Sequence, residues 1–131
     1  PQLVSAIFTL AGNVRGDLEQ CDNSSEVAIH HIHATGDTVV PMAGDDQKGY
    51  LPAWQAIEMW SVAKHCDTST SSFGPFDLTV DEEGDESNRI AYDSCDAPVE
   101  FTIIDGSDHG PDFDNHKLHQ YLSGFFSRAD N

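Results

Sequence analysis

The sequence predicts an α/β fold in which parallel strands are joined through a helix, and three features predict it. Two short apolar runs that end in turn residues, Leu3–Leu10 and Val27–His33, have the length and continuity of strands buried in a parallel sheet. A third run, Val99–Ile104, has the same character and follows a stretch of helical period from Pro52 to about His65. A second stripe of helical period closes the chain. The order strand, strand, helix, hairpin, strand, helix places any ligand site beyond the carboxyl ends of the parallel strands.

The elements follow in order. Leu3-Val4-Ser5-Ala6-Ile7-Phe8-Thr9-Leu10 reads as a buried strand closed by Ala11-Gly12-Asn13. Residues 13–26 are polar, with Gly16, Asp22-Asn23 and Ser24-Ser25, and read as a loop. Val27–His33 is the second strand, and Pro41–Gly49 is a turn-rich connection. Pro52 suits a first helical turn, where its missing N–H costs least. Ala53, Ala56, Ile57, Trp60 and Ala63 then share one face. Both Trp54 and Trp60 read as core or pocket wall. Phe76–Val80 and Arg89–Tyr92 alternate around the acidic, glycine-containing tip Asp81–Glu86, which predicts a hairpin. Asp112 or Asp114 can cap the last helix, whose stripe is Leu118, Tyr121, Leu122, Phe125 and Phe126, with His116 and His119 on the solvent side.

At 131 residues, 38% of them hydrophobic, the chain is expected to be one domain with a real core. No apolar run approaches the length of a membrane span, and no targeting segment is visible. Its abrupt apolar opening, Pro1-Gln2-Leu3-Val4, suits an internal start. Six basic against 23 acidic residues give a net charge of −17. Such a surface repels phosphate backbones and anionic headgroups, so neither nucleic acid nor membrane is an expected partner. Solubility or a salty milieu explains the charge; no D-x-D-x-D-G loop argues for calcium. Cys21, Cys66 and Cys95 lack C-x-x-C spacing, which argues against structural zinc and leaves open one disulfide plus a thiol, or three thiols.

Chemistry concentrates after two strands. Asp37 follows the second in His31-Ile32-His33-Ala34-Thr35-Gly36-Asp37-Thr38-Val39-Val40-Pro41, and His109 follows the last in Asp105-Gly106-Ser107-Asp108-His109-Gly110. A buried carboxylate bonded to one imidazole nitrogen fixes the tautomer and stabilises the imidazolium that forms when the other nitrogen takes a proton. The plain alternative is that Asp37 braces its own turn and His109 lies exposed in a loop. His31 and His33, two apart on a strand, point the same way and could hold a metal with Asp37 or His109.

The segment Ile32–Pro41 resembles the acid segment, H-I-H-G-T-x-D-x-V-V-P, of the polyhydroxybutyrate depolymerase and feruloyl esterase group of α/β-hydrolases. Trp60-Ser61-Val62-Ala63-Lys64-His65-Cys66 is similar to that group's helix end, and Tyr92-Asp93-Ser94-Cys95 and the opening Pro1–Gly12 also fit. The resemblance implies Asp37 as triad acid, His109 as triad base, a Cys66–Cys95 disulfide with Cys21 as the odd thiol, a secreted protein, no cofactor, and a small-molecule or polymeric ester substrate. Ala34 stands where the group has glycine. Ser107-Asp108 and Gly110-Pro111 flank His109 where the group usually has glycines and Trp-Pro.

No G-x-S-x-G occurs in the 131 residues. Ser5, Ser61 and Ser123 fall inside expected elements rather than on a strand-to-helix turn. In the resembling group the nucleophile lies just before the point where this chain starts. The expectation is therefore the carboxyl-terminal portion of an α/β-hydrolase sheet, supplying Asp37 and His109 and inactive alone. A non-catalytic α/β binding module is the rival, and a His/Asp metal domain a third reading. The first strand would then lack a neighbour, and its open apolar edge would favour a homo-oligomer.

Overall fold

The computed structural model describes residues 3–14 and 26–130. Its elements are β1 (Ala6–Leu10), β2 (Ala28–Ala34), α1 (Ala53–Ala63), β3 (Thr70–Phe76), β4 (Ser87–Tyr92), β5 (Val99–Ile104) and α2 (Asn115–Ala129). The strands form one mixed five-stranded sheet in the order β1-β2-β5-β4-β3. β1, β2 and β5 run parallel, whereas β4 is antiparallel to both β5 and β3.

β2 is buried at all seven positions, as a central strand covered on both faces must be. Its side chains alternate between two cores. Ile29 packs with Val99, Phe101 and α1 through Ala53 and Ile57. Ile32 and Ala34 pack with Ile104, Phe8, Phe113 and Tyr121 of α2. One helix therefore covers each face, and the two strand ends that matter chemically, after β2 and β5, lie side by side in register His33↔Ile103 and Ala34↔Ile104.

Several expectations need correction. The first strand is shorter than Leu3–Leu10 and is half-exposed rather than buried: among the described residues β1 pairs only with β2, leaving Ile7 and Leu10 partly open to solvent. The first hairpin arm is not Phe76–Val80 but Thr70–Phe76, inside the Ser/Thr-rich stretch. β3 is an edge strand exposed along nearly its whole length, so it carries no alternation to read. The Leu78–Val80 alternation belongs instead to a short tie onto the entrance of α2. There Thr79 bridges Phe113, the Val80 N–H donates to Asp112 O, and the Asp114 N–H to Leu78 O. Trp54 is exposed and Phe126 largely so, whereas Trp60 packs against the α1-side core.

Asp114 is the residue that caps α2, its carboxylate accepting the His116 and Lys117 N–H groups. His116 and His119 are exposed. Cys66, just past α1, is disulfide-bonded to Cys95, just past β4, with a sequence separation of 29. Closing a loop of that length removes about 3–4 kcal/mol of unfolded-chain entropy. Cys21 and most of the loop expected over residues 13–26 lie outside the described residues. No helix among the described residues is long and apolar enough to cross a membrane.

Candidate active site

The acid turn and the base loop are held together by backbone before any side chain acts. Past the end of β2 the Thr35 N–H donates to Ile104 O at 2.9 Å, and the Gly36 N–H to Gly106 O at 3.1 Å. Position 36 has no room for a side chain: a Cβ there would stand 2.3 Å from Ser107 O. Gly106 turns with φ +90°, a conformation that glycine adopts at no steric cost. These two glycines allow the chain ends after β2 and β5 to run in contact.

On that frame Asp37 Oδ1 accepts the Val39 and Val40 N–H groups at 2.9 and 2.8 Å. Its other oxygen, Oδ2, accepts from His109 Nδ1 at 2.9 Å. The Asp37 side chain is fully buried while that of His109 is 42% exposed, so the acid is sheltered and the base reaches solvent. Burial pushes the Asp37 carboxyl up, but the Val40 N–H, the His109 ring and the Val39 N–H outweigh it and hold it below its ordinary value. Because a carboxylate only accepts, Nδ1 of His109 carries the proton and Nε2 is left to take another. Asp37 braces its own turn with one oxygen and orients His109 with the other.

Three further carboxylates fix the base loop. Asp108 Oδ1 accepts from the Thr38 N–H, the Thr38 hydroxyl and the His109 N–H, and these donors hold the Asp108 carboxyl below its usual range. Glu82 accepts the Ser107 N–H, and Asp81 accepts the Ser107 hydroxyl at 2.9 Å and the Asp112 N–H at 3.2 Å. In sequence, Asp81 and Glu82 read only as part of an acidic hairpin tip. No local pattern could reveal that their partners lie about 25 residues away.

A comparison of the sequence with protein-family models finds no match, and a comparison with curated proteins finds none.

Among the described residues, five serine hydroxyls engage groups other than His109. Ser61 bonds Glu58 O, Ser71 bonds Asp93, Ser87 bonds Glu86, Ser107 bonds Asp81 and Ser123 bonds His119 O. Ser107, two residues before the base and at φ +47°, has its hydroxyl turned to Asp81. His31 and His33 do share a face, but they hydrogen-bond each other, Nε2 to Nδ1 at 3.1 Å. No group of three or more His, Cys, Asp or Glu among the described residues is placed to hold a metal ion. A cavity of about 240 Å³ lies on the α1 side, walled by Ile7, Ile29, Ala56, Ile57 and Trp60 with His31 and Thr9 at its polar corner. Neither Asp37 nor His109 lines it.

Gly36→Ala tests the contact between the two loops. Overpacking against a backbone carbonyl costs about 1–3 kcal/mol. The loop carrying His109 is expected to move away, weakening the ring's bond to Asp37. Loss of the downfield Nδ1–H proton resonance of His109, in a chain that still unfolds cooperatively, is the expected result. An unchanged resonance would show that the close approach is not what sets the pair.

Proposed function

We propose that the chain supplies the acid and base of a serine carboxylic ester hydrolase with an α/β-hydrolase sheet, akin to the polyhydroxybutyrate depolymerase and feruloyl esterase group, the nucleophilic serine coming from a segment outside these 131 residues. The observation that carries this reading is the Asp37–His109 hydrogen bond, 2.9 Å long, at the carboxyl ends of two adjacent parallel strands, with the other Asp37 oxygen held by two backbone N–H groups. In that reaction His109 Nε2 takes the proton of the attacking serine hydroxyl as the ester carbonyl becomes tetrahedral. The Asp37 carboxylate stabilises the imidazolium, which then protonates the departing alcohol. The substrate is a small-molecule or polymeric carboxylic ester. The Cys66–Cys95 disulfide favours an oxidising compartment and with it a secreted protein.

A chromogenic short-chain ester assay on this chain should read blank. Hydrolysis abolished by a serine-directed inhibitor would expose a nucleophile within the chain and overturn the assignment. A blank alone also fits a non-catalytic module, so the flanking reading frame decides between the two: a G-x-S-x-G strand-to-helix turn is expected there, and its absence favours the module.

The edge of β1, which among the described residues carries no further strand, we assign to self-association through strand pairing. Sedimentation velocity is expected to show a dimer or higher assembly; a strict monomer at working concentration overturns it.

A further inference from the structure

Behind the acid runs a chain of hydrogen bonds that the triad chemistry does not use. Thr9 Oγ1 lies 2.7 Å from His31 Nδ1, His31 Nε2 lies 3.1 Å from His33 Nδ1, and His33 Nε2 lies 2.7 Å from Val40 O. The same His33 nitrogen is 3.4 Å from Asp37 Oδ2, the oxygen that receives His109. β1 and β2 pair Thr9 with His31 directly, so the sheet register itself sets the first link.

The polarity of this chain follows from its far end. A backbone carbonyl only accepts, so His33 Nε2 must carry the proton. A neutral His33 then has its lone pair on Nδ1, and His31 must donate to it from Nε2. That leaves His31 Nδ1 as an acceptor, and the Thr9 hydroxyl donates to it. Every bond thus points from β1 toward the Asp37 turn. A proton added to His33 would need the opposite arrangement: Nδ1–H would face His31, which would have to accept there and turn its own proton to Thr9.

A cationic His33 would also compete for Asp37. It stands within ion-pair distance of Oδ2 with its side chain fully buried, and the carboxylate would divide its charge between two imidazoles. We propose that His31 is a positioning residue that locks His33 in the neutral Nε2–H tautomer and so reserves the Asp37 carboxylate for His109. His31 is itself suited to the task. It is buried, stacked on Phe101 with ring centroids 5.7 Å apart, and its own protonation is pushed down to about 4, chiefly by burial and then by His33 and His30. Among the described residues, the charged and titratable groups that act on the chain are His30, Asp37 and His109. The inference rests on Asp37 and His109 being a working acid–base pair, but its measurements involve no ester, so it fails or stands separately from the hydrolase reading.

Imidazole nitrogen NMR on the unaltered chain at neutral pH is the first test. His31 and His33 are both expected as Nε2–H tautomers; an Nδ1–H tautomer at either position overturns the proposal. The second test is H31F, which keeps an aromatic ring against Phe101 but removes the donor. His33 is then expected to show an added Nδ1–H in part of the molecules at neutral pH, and the downfield Nδ1–H proton resonance of His109 to weaken as Asp37 is shared between the two rings. A merely structural His31 would leave both signals unchanged in a folded H31F, which would overturn the proposal. Should H31F not fold, T9V removes the Thr9 donor at nearly constant volume. Because the Val40 carbonyl sets the polarity through His33, His31 is expected to stay an Nε2–H tautomer in T9V, and its conversion to Nδ1–H would overturn the proposal.

Discussion

If the chain serves the ester hydrolase proposed above, replacing Asp37 by Asn is expected to lower kcat of that enzyme about 10,000-fold while leaving KM nearly unchanged. The size follows from hydrogen-bond polarity rather than from lost packing. An Asn carbonyl can still accept the Val39 and Val40 N–H groups that Asp37 Oδ1 holds now, so the turn survives. The amide NH₂ then occupies the place of Oδ2 and donates to His109 Nδ1, where the carboxylate accepted. His109 must move its proton to Nε2, and the nitrogen that should take the serine proton becomes a donor. The same inversion is readable in this chain without any substrate, as a change of His109 from the Nδ1–H to the Nε2–H tautomer. An Asn variant within tenfold of the parent kcat, or an unchanged tautomer, would remove Asp37 from the role assigned to it.

How much of this was legible in the sequence differs from residue to residue. Asp37 and His109 could be found because each ends an apolar run in a turn, and strand ends in a parallel sheet converge on one edge. The strand Thr70–Phe76 could not, because an exposed edge strand has no buried face to impose a period-two pattern. Nor could the roles of Asp81, Glu82 and Asp108. Acidic side chains in loops look alike in sequence whether they face water or cap backbone N–H groups on another loop. Asp108 was visible only as a departure from the resembling pattern, and the structure makes it the clamp between the acid turn and the base loop.

The least legible feature is a charge in the core. Glu100 lies inside the Val99–Ile104 run, which reads as apolar, yet its side chain is only 4% exposed. It is tolerable there because every oxygen has a donor. Arg128 of α2 holds both oxygens at 2.9 and 3.0 Å, and His30 Nδ1 lies 3.0 Å from Oε2. His30 Nε2 in turn bonds the Thr102 hydroxyl, and Thr102 bonds Tyr121. A neutral His30 accepts from Thr102 at Nε2, while its Nδ1 lies within ion-pair distance of Glu100 without the alignment of a hydrogen bond, and burial lowers its affinity for a proton. The network therefore pins α2 to the middle of the sheet from the face opposite α1.

Glu100→Ala is accordingly expected to cost about 3 kcal/mol, the low end for breaking a buried pair, because Arg128 is partly exposed and can turn to water while His30 cannot. The pH dependence carries the sharper test. Burial pushes the Glu100 carboxyl up, but His30 and Arg128 overcome it and bring its pKa from 4.5 down to about 2. A carboxylate whose pKa is lowered by folding stabilises the fold fully above its unfolded value. That contribution, roughly 3 kcal/mol, disappears as pH falls from 4.5 through about 2. His31, lowered from 6.5 to about 4, acts in the same direction over a higher window: the unfolded chain binds its proton first, so stability declines between pH 6.5 and 4. Urea midpoints measured from pH 7 to pH 2 should thus fall in two stages. In Glu100→Gln the lower stage should shrink to what Asp37 and the other lowered carboxyls contribute while the upper one persists, so the gap between parent and variant closes below pH 4.5. A gap that stayed constant down to pH 2 would mean that Glu100 does not hold its charge in the folded chain.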